Sequence, residues 1–493
     1  MTAMRSAALV ACLLLACGGT TVPSPSQPAA ATPAAAPEPE PARDPLRDAL
    51  RDREPDPEPP APAPSQLDQV AASLQLAQVA GLEAALLPRP NDSHQVLVTL
   101  RFRHGDAASL TGKQAVGDLV GEVAQRGTTK RDHVEIAGDF GRLAADVDIS
   151  SNAGTITVRI ETIRDSLPEV LEVVAELLAH PGFRAADLDA VRRERLAALD
   201  EADQDPPARA FKLLTSITAP WPKGDVRGTA SNAELKKAMR AAKVGDLKAY
   251  HRAFWGTGHG ELVAVGDFDP AELTASLERH FGAWRTKAAY VRAPDQSFGL
   301  GASEHVVDMP GKDLAVVLAA HDLALDANHA DAPALLVATR LVGGNAGRLA
   351  HIVRQEHAIA VFGSLTAGDQ DAAGAAVFGA IAAPEHLGQI RTALFEELQR
   401  LVDRGVTGGE VAAAQSSWLA EEERALTTFR GLVSALLVDR RLGRDPAWHR
   451  AERARIAAVT AEDVNRALRA WLDARRLTVI LAGDLTKAGL RSR

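Results

Sequence analysis

The stretch QAVGDLVGEVAQRGTTKRD, residues 114–132, holds two acids whose spacing could support chemistry. Asp118 and Glu122 are four residues apart, so on a helix their carboxylates lie on one face, one turn from each other. Metal sites are often built in this way, and carboxylate ligands suit Mg²⁺, Ca²⁺ or Mn²⁺ better than Zn²⁺. The same spacing also fits a solvated face, on which Arg126 would complete an Asp118–Glu122–Arg126 ladder of charges. Of these two interpretations we favour the ladder.

Length, charge and cysteine content exclude several classes of function. A chain of 493 residues is too long for one core and predicts two or three domains. A net charge of −9 argues against a general nucleic-acid binder, because no basic excess is present to displace counterions from phosphates. The two cysteines, Cys12 and Cys17, both lie near the N-terminus. The folded part is therefore expected to have no disulfide and no thiolate metal site.

The N-terminus has the pattern of an export signal. MTAMR supplies a positive start, and SAALVACLLLA supplies an apolar run that is too short to span a bilayer. LLAC followed by Gly18 resembles a bacterial lipoprotein processing box, which implies that residues 1–17 are a signal and that Cys17 is lipidated. We expect a lipid-anchored protein of the bacterial cell envelope, and Gly18 favours the outer membrane. An ordinary secretory signal with a chance cysteine is the alternative.

Residues 18–65 are predicted to be a disordered, Pro/Ala-rich tether. Half of the chain's 28 prolines fall in this segment, in runs such as PDPEPPAPAPS. Such a composition cannot bury a core, and a flexible coil of this length would reach roughly 40 Å. The tether would let a globular head stand clear of a membrane surface.

The rest of the chain reads as an α+β protein. HQVLVTLRFRHG (94–105) and TITVRIETI (155–163) alternate as half-buried strands do. SLPEVLEVVAELLAHPGF and RAADLDAVRRERLAALDEADQDP carry apolar residues at helical spacing. Because strand and helix signals come in groups, layered α+β packing is favoured over a doubly wound sheet.

An internal repeat predicts that the α+β body is duplicated. Residues 244–269 and 460–486 each read as a helix followed by a strand that ends in Gly-Asp, with an aspartate 20 residues before that glycine. An offset of 217 residues separates the two units. It predicts two homologous halves, 66–288 and 302–493, joined by an interdomain linker at 289–301.

The order and spacing of four segments resemble the pitrilysin/insulinase family of zinc metallopeptidases, over nearly everything after the tether. LVTLRFRHGDAA resembles the family's first strand and glycine turn, and QRGTTKR resembles the turn after the metal helix. LAHPGFRAADLDAVRRERLAALDEADQDP is similar to the long helix that supplies a distant ligand, and LVGGNAGRLAHIVRQEHAIAV to a glycine-rich stretch with an arginine. The resemblance implies two α/β-layered halves, with helices packed on mixed sheets, in a clam-like body.

The resemblance also implies where a metal site would lie. The family's His-x-x-Glu-His motif holds zinc through two histidines, activates water through its glutamate, and is completed by a distant glutamate. On this chain Asp118 and Glu122 take the histidine positions, Gly121 takes that of the base, and Glu201 is the distant acid. One ligand of three keeps its type and the base has no side chain, so we expect neither zinc nor peptide hydrolysis.

A second family feature is only half present. In the family an arginine, and a tyrosine seven residues later, face the zinc and hold the substrate's carbonyl oxygen. Here Arg354 matches the arginine, but the tyrosine position is Val361, which cannot donate a hydrogen bond. Arg354 is thus a candidate contact for substrate or partner, with a surface arginine as the alternative.

We therefore expect a non-catalytic homologue that works with a zinc-motif peptidase chain of the same family, binds unfolded peptides and attaches to the membrane by its lipid. Family members often act in such pairs. One alternative is an active metalloendopeptidase with a carboxylate metal site at Asp118, Glu122 and Glu201. Another is a stand-alone peptide-binding or scaffold lipoprotein.

Overall fold

The structure, a computed structural model, describes residues 65–343, 347–350, 352 and 356–490. Cys17, Arg354 and the tether up to residue 64 lie outside these described residues. Within them, no helix combines the length and the apolar character that crossing a membrane requires.

The strands of the described residues form two sheets. Those of the first sheet are β1 Gln75–Val79, β2 Leu82–Pro88, β3 Gln95–Arg103, β4 Asp146–Asn152, β5 Thr155–Ile163 and β6 Gly260–Gly266. Those of the second are β7 Ser303–Asp308, β8 Ala315–Leu323, β9 Ala360–Thr366, β10 Gly374–Ala382 and β11 Thr478–Gly483. The spatial orders are β1-β2-β6-β3-β5-β4 and β7-β11-β8-β10-β9.

The helices of the described residues pack on these sheets. In the first half they are α1 Gln66–Ser73, α2 Gln114–Gln125, α3 His133–Arg142, α4 Leu167–Ala179, α5 Ala185–Ala202, α6 Pro206–Thr218, α7 Asn232–Ala241, α8 Val244–Phe254 and α9 Pro270–Phe281. In the second half they are α10 Ala332–Val342, α11 Leu387–Arg404, α12 Gly408–Ala425, α13 Phe429–Leu442, α14 Pro446–Ala457 and α15 Ala461–Trp471.

The two sheets share one topology, which confirms the α+β class and the duplication. Without β1, the first sheet has the same order as the second, strand for strand. In both, a single parallel pair, β2 with β6 and β7 with β11, sits beside an otherwise antiparallel ladder. Each half has its own large apolar core, formed where helices cover one face of its sheet.

The residues that mark the repeat have structural roles. Asp246 and Asp463 each accept a hydrogen bond from the backbone N–H of the residue that caps their helix, α8 or α15. Such bonds satisfy a donor that a helix N-terminus leaves free. Gly266 and Gly483 end β6 and β11 at φ of 134° and 138°, where a side chain would meet the neighbouring strand. The pattern thus records where a helix begins and where a strand ends.

The inner face of each sheet is covered by a helix of the other half. Ala210 and Leu214 of α6, which belongs to the first half, pack on β8, β9 and β11 of the second sheet. Leu432 and Leu436 of α13, which belongs to the second half, pack on β2, β3 and β6 of the first sheet. The part of each inner face that the exchanged helix covers is apolar, so neither half can bury this surface without the other.

The segment that joins the halves is held to both of them. It contains no helix or strand. The buried carboxylate of Asp322, at the end of β8, accepts hydrogen bonds from the Ser297 hydroxyl and from the backbone N–H groups of Gly299 and Leu300. Arg292 pairs with Asp371 of the second half, and the N–H of Val291 donates to a carbonyl of the first half. The linker therefore makes defined contacts with both halves.

Helix α1 attaches the start of the described chain to the second half. Its Asp68 pairs with Arg450 of α14 at 2.9 Å, and the backbone N–H of Gln66 donates to Glu423 of α12. Val70 of α1 joins the apolar cluster between α13 and the first sheet. Helix α1 thus contacts both halves.

Replacing Leu214 with alanine is expected to lower the free energy of unfolding by about 2–5 kcal/mol, because a fully buried leucine between the halves leaves a cavity. Denaturant titration measures this change. Leu419→Ala on α12, where the side chain is 42% exposed, is the matched control and should change it by less than about 0.5 kcal/mol. Equal decreases in the free energy of unfolding of the two variants would contradict the packing of α6 on the second sheet.

Candidate functional site

Helix α2, which carries the predicted motif, lies unusually close to strand β4. Gly117 and Gly121, one turn apart, face the strand. The Gly121 N–H donates to the Ser151 hydroxyl at 2.8 Å, and this hydroxyl donates to the Gly117 carbonyl. A Cβ on Gly121 would lie 2.6 Å from the Ser151 oxygen and 2.9 Å from its backbone nitrogen. The missing side chains are what permit this contact.

Position 121, where the resemblance places a catalytic base, is therefore occupied by the contact between α2 and β4. A glutamate at Gly121 would have to displace β4, since its Cβ already overlaps Ser151. Backbone atoms of Asn152 and Ala153 block Gly117 in the same way. A carboxylate at position 121 would therefore require β4 to move.

The side chain of Glu122 is bound by an arginine of the long helix α5. The Nε of Arg195 donates to one carboxylate oxygen of Glu122 at 2.8 Å, and a second guanidinium nitrogen contacts the other. Arg126 pairs with Glu194, at 2.7 and 2.8 Å from its two carboxylate oxygens. The predicted ladder through Arg126 is wrong, because both charges pair across to α5 and not along α2.

Asp118 was predicted to be solvated, and this too is wrong. The residue is half-buried, and burial raises the pKa of its carboxyl from 3.8 to about 6. The charges of Arg195 and of Lys212 on α6 oppose the shift only in part. Burial also lowers the pKa of Lys212 and raises that of Tyr250 on α8. Desolvation thus dominates around Asp118.

The structure does not bring the three predicted metal positions together as a ligand set. Glu201 is exposed near the end of α5, and Glu122 is bound to Arg195. Among the described residues, no group of three or more His, Cys, Asp or Glu side chains could hold a metal ion. An arginine within bonding distance of a ligand disfavours a cation, so these residues do not fit zinc.

Of the predicted second-half pair, only Val361 is described. It lies on β9 opposite Ala380 of β10 and packs against the core of the second half. Ser151 and Arg195, which bind Gly121 and Glu122, were not predicted from the sequence. The Gly-x-x-x-Gly spacing of Gly117 and Gly121 was the available signal of a close helix contact.

Two family models match this chain. Residues 86–221 match the model described as Insulinase (Peptidase family M16), and residues 242–417 match that described as Peptidase M16 inactive domain. The two matches follow one another along the chain and together cover more than half of it. A comparison with curated protein sequences found no match.

Solved structures share the fold. A Pseudomonas fluorescens structure described as a peptidase M16 inactive domain has a TM-score of 0.71 at 18% identity, over 83% of this chain and 97% of that chain. A protease from Helicobacter pylori has a TM-score of 0.71 at 15% identity, over 83% and 98%. A conserved protein from Enterococcus faecalis V583 has a TM-score of 0.63 at 15% identity, over the same shares.

Asp118→Asn is expected to stabilise the fold above pH 6. The pKa of Asp118 is raised in the folded chain, so its ionised form is destabilised there, and asparagine mimics the neutral form. One pKa unit corresponds to about 1.4 kcal/mol, so a shift from 3.8 to about 6 gives a gain of up to about 3 kcal/mol at pH 7–8. The gain should shrink as the pH falls through 6 and vanish below 3.8. Denaturant titration at several pH values measures it, and Asp313→Asn, at an exposed side chain, is the control.

Gly121→Ala is expected to lower the free energy of unfolding by about 1–3 kcal/mol, because the new methyl group overlaps Ser151. Gly138→Ala, inside α3 with open space around it, should instead raise it by about 0.5–1 kcal/mol through helix propensity. Thermal or denaturant unfolding compares the two. A stabilising effect at both positions would remove the packing role of Gly121.

Proposed function

Because the chain belongs to the insulinase (M16) family of peptidases, we propose that it is a non-catalytic member that acts as the partner subunit of a zinc-motif peptidase. The contact between α2 and β4 carries this proposal. At the turn where the family places its base, Gly121 packs against Ser151 and leaves no room for a side chain.

The metal positions support the same conclusion. Zinc sites of this kind need neutral imidazoles, whereas this chain has two carboxylates at the equivalent positions of α2. Arg195 forms an ion pair with Glu122, and the positive charge of its guanidinium would repel a metal ion placed there. A divergent site of Asp118, Glu122 and Glu201 would first have to break that ion pair. The carboxylate-site alternative is therefore the weaker one.

The fold supports a role as a subunit. Both halves keep the layered architecture, and the structural likeness extends over 83% of the chain, although the motif residues have changed. A layered body without the motif's imidazoles and base is what we expect of a chain that forms part of a chamber wall and holds unfolded peptides. We propose further that Cys17 is lipidated and that the tether holds this body at the bacterial outer membrane.

The test uses the full-length chain, alone and mixed with a zinc-motif homologue from the same cell. Alone, it is expected to hold well under one zinc per chain and to cleave no member of a broad peptide library. With the homologue it should co-purify and change the rate or the pattern of cleavage. A homologue variant without its glutamate base is the control, and it should abolish all cleavage by the mixture.

Two other outcomes have clear meanings. Stoichiometric zinc with chelator-sensitive cleavage by the chain alone, lost in Glu122→Gln and Glu201→Gln, would overturn the proposal in favour of a carboxylate-site peptidase. No association and no effect on cleavage would remove the partner role. Peptide binding by the chain alone would then favour a stand-alone binding protein.

A further inference from the structure

A cavity of about 450 Å³ lies on the inner face of the first sheet, beside helix α13. Its floor is β3, where Leu97, Thr99 and Arg101 alternate toward the same side. Its wall is α13, which contributes Val433, Ser434, Leu437 and Val438. The cavity exists because the helix of the second half covers only part of the sheet.

Arg101 enters this cavity with an uncompensated charge. Within the part of the chain that the structure describes, its guanidinium makes no ion pair within 4.0 Å and no hydrogen bond. Glu261 lies opposite Arg101 on β6, but both of its carboxylate oxygens bind Arg103, at 2.8 and 3.1 Å. One carboxylate between two guanidinium groups leaves a net positive charge. Burial, together with nearby arginines, lowers the pKa of Arg101.

The other charges of the cavity do not cancel that of Arg101. Arg159 pairs with Asp148 at 2.8 Å, and Arg430 pairs with Glu161 at 2.7 Å. These two pairs are neutral as units.

Asp146 also lines the cavity but is far from Arg101. Through β5 it is in register with Leu97 of β3, which is four residues from Arg101. At about 3.3 Å per residue, this offset is roughly 13 Å along the strand. An anion at Arg101 would therefore meet a cation whose neighbouring carboxylate, that of Glu261, is already bound by Arg103.

We infer that Arg101 binds a carboxylate group of an extended peptide lying in the cavity. The hydroxyl groups of Thr99 and Ser434 also line it and can donate to the same group. The aliphatic side chains of Leu97 and Leu437 offer an apolar surface to the body of the residue that carries the carboxylate. A charge-assisted bond in a partly dehydrated cavity is stronger than one on the surface. The inference rests on the proposed function, since it assumes that this chain holds peptides.

The experiment measures binding of short fluorescent peptides by anisotropy, with the full-length chain. Three probes of one sequence are compared: a free C-terminal carboxylate, a C-terminal amide, and an amide with one internal glutamate. The free acid is expected to bind about tenfold more tightly than the amide. The glutamate probe distinguishes the two sources of a carboxylate, and affinity gained by either one supports the site.

Variants assign the effect to Arg101. Arg101→Gln should remove the difference between acid and amide, while Arg101→Lys, which keeps the charge, should retain part of it. Arg159→Gln, in the same cavity but at an arginine with its own carboxylate, is the matched control and should keep most of it. Unfolding midpoints confirm that each variant is folded.

The outcomes separate the two proposals. Equal binding of all three probes, or an unchanged difference in Arg101→Gln, would overturn the carboxylate site while leaving peptide binding intact. Absence of binding for every probe would overturn the site together with peptide binding. The partner role would still be decided by association with the zinc-motif homologue.

Discussion

The exchange of helices between the halves is the constraint on which the rest of the structure depends. Each sheet has an apolar area on its inner face, and the helix that covers this area, α6 or α13, comes from the other half. The hydrophobic effect therefore acts between the halves as well as within them. The exchange fixes the position of α6 and with it Lys212 near Asp118, and it also sets the partial cover that leaves the cavity at Arg101.

The second organising contact is that of α2 with β4. A zinc helix must keep one side free for ligands and water, whereas this helix uses the turn of Gly121 for packing. Arg195 then meets Glu122 where a metal would otherwise lie. A glutamate at position 121 would displace the strand, and a different side chain at position 122 would still face the Arg195 guanidinium. The contacts at positions 121 and 122 thus involve three elements, α2, β4 and α5.

Local signals in the sequence predicted much of the fold. β5 has the bounds that the TITVRIETI pattern indicated, and α2 covers most of residues 114–132. The repeat predicted the duplicated topology because a capping aspartate and a strand-ending glycine are local features that recur in both halves.

The side-chain partners of the site could not be predicted. Which arginine of α5 meets Glu122 depends on the rotation of α5 against α2, and that rotation is set by the core between them. Ser151 reaches Gly121 across a separation of 30 residues. Solvation of Asp118 was misjudged because the residues near it, such as Arg195 on α5 and Lys212 on α6, are distant in the chain. The candidate site is therefore a tertiary property, whereas the elements that carry it are local.

Helix α1 gives the body a mechanical property. It joins α12 and α14 of the second half through Glu423 and Arg450, and it continues directly into β1 and β2 of the first sheet. A pulling force applied at residue 65 would therefore act on both halves at the same time. The tether proposed above would be attached at this point and would therefore load both halves together.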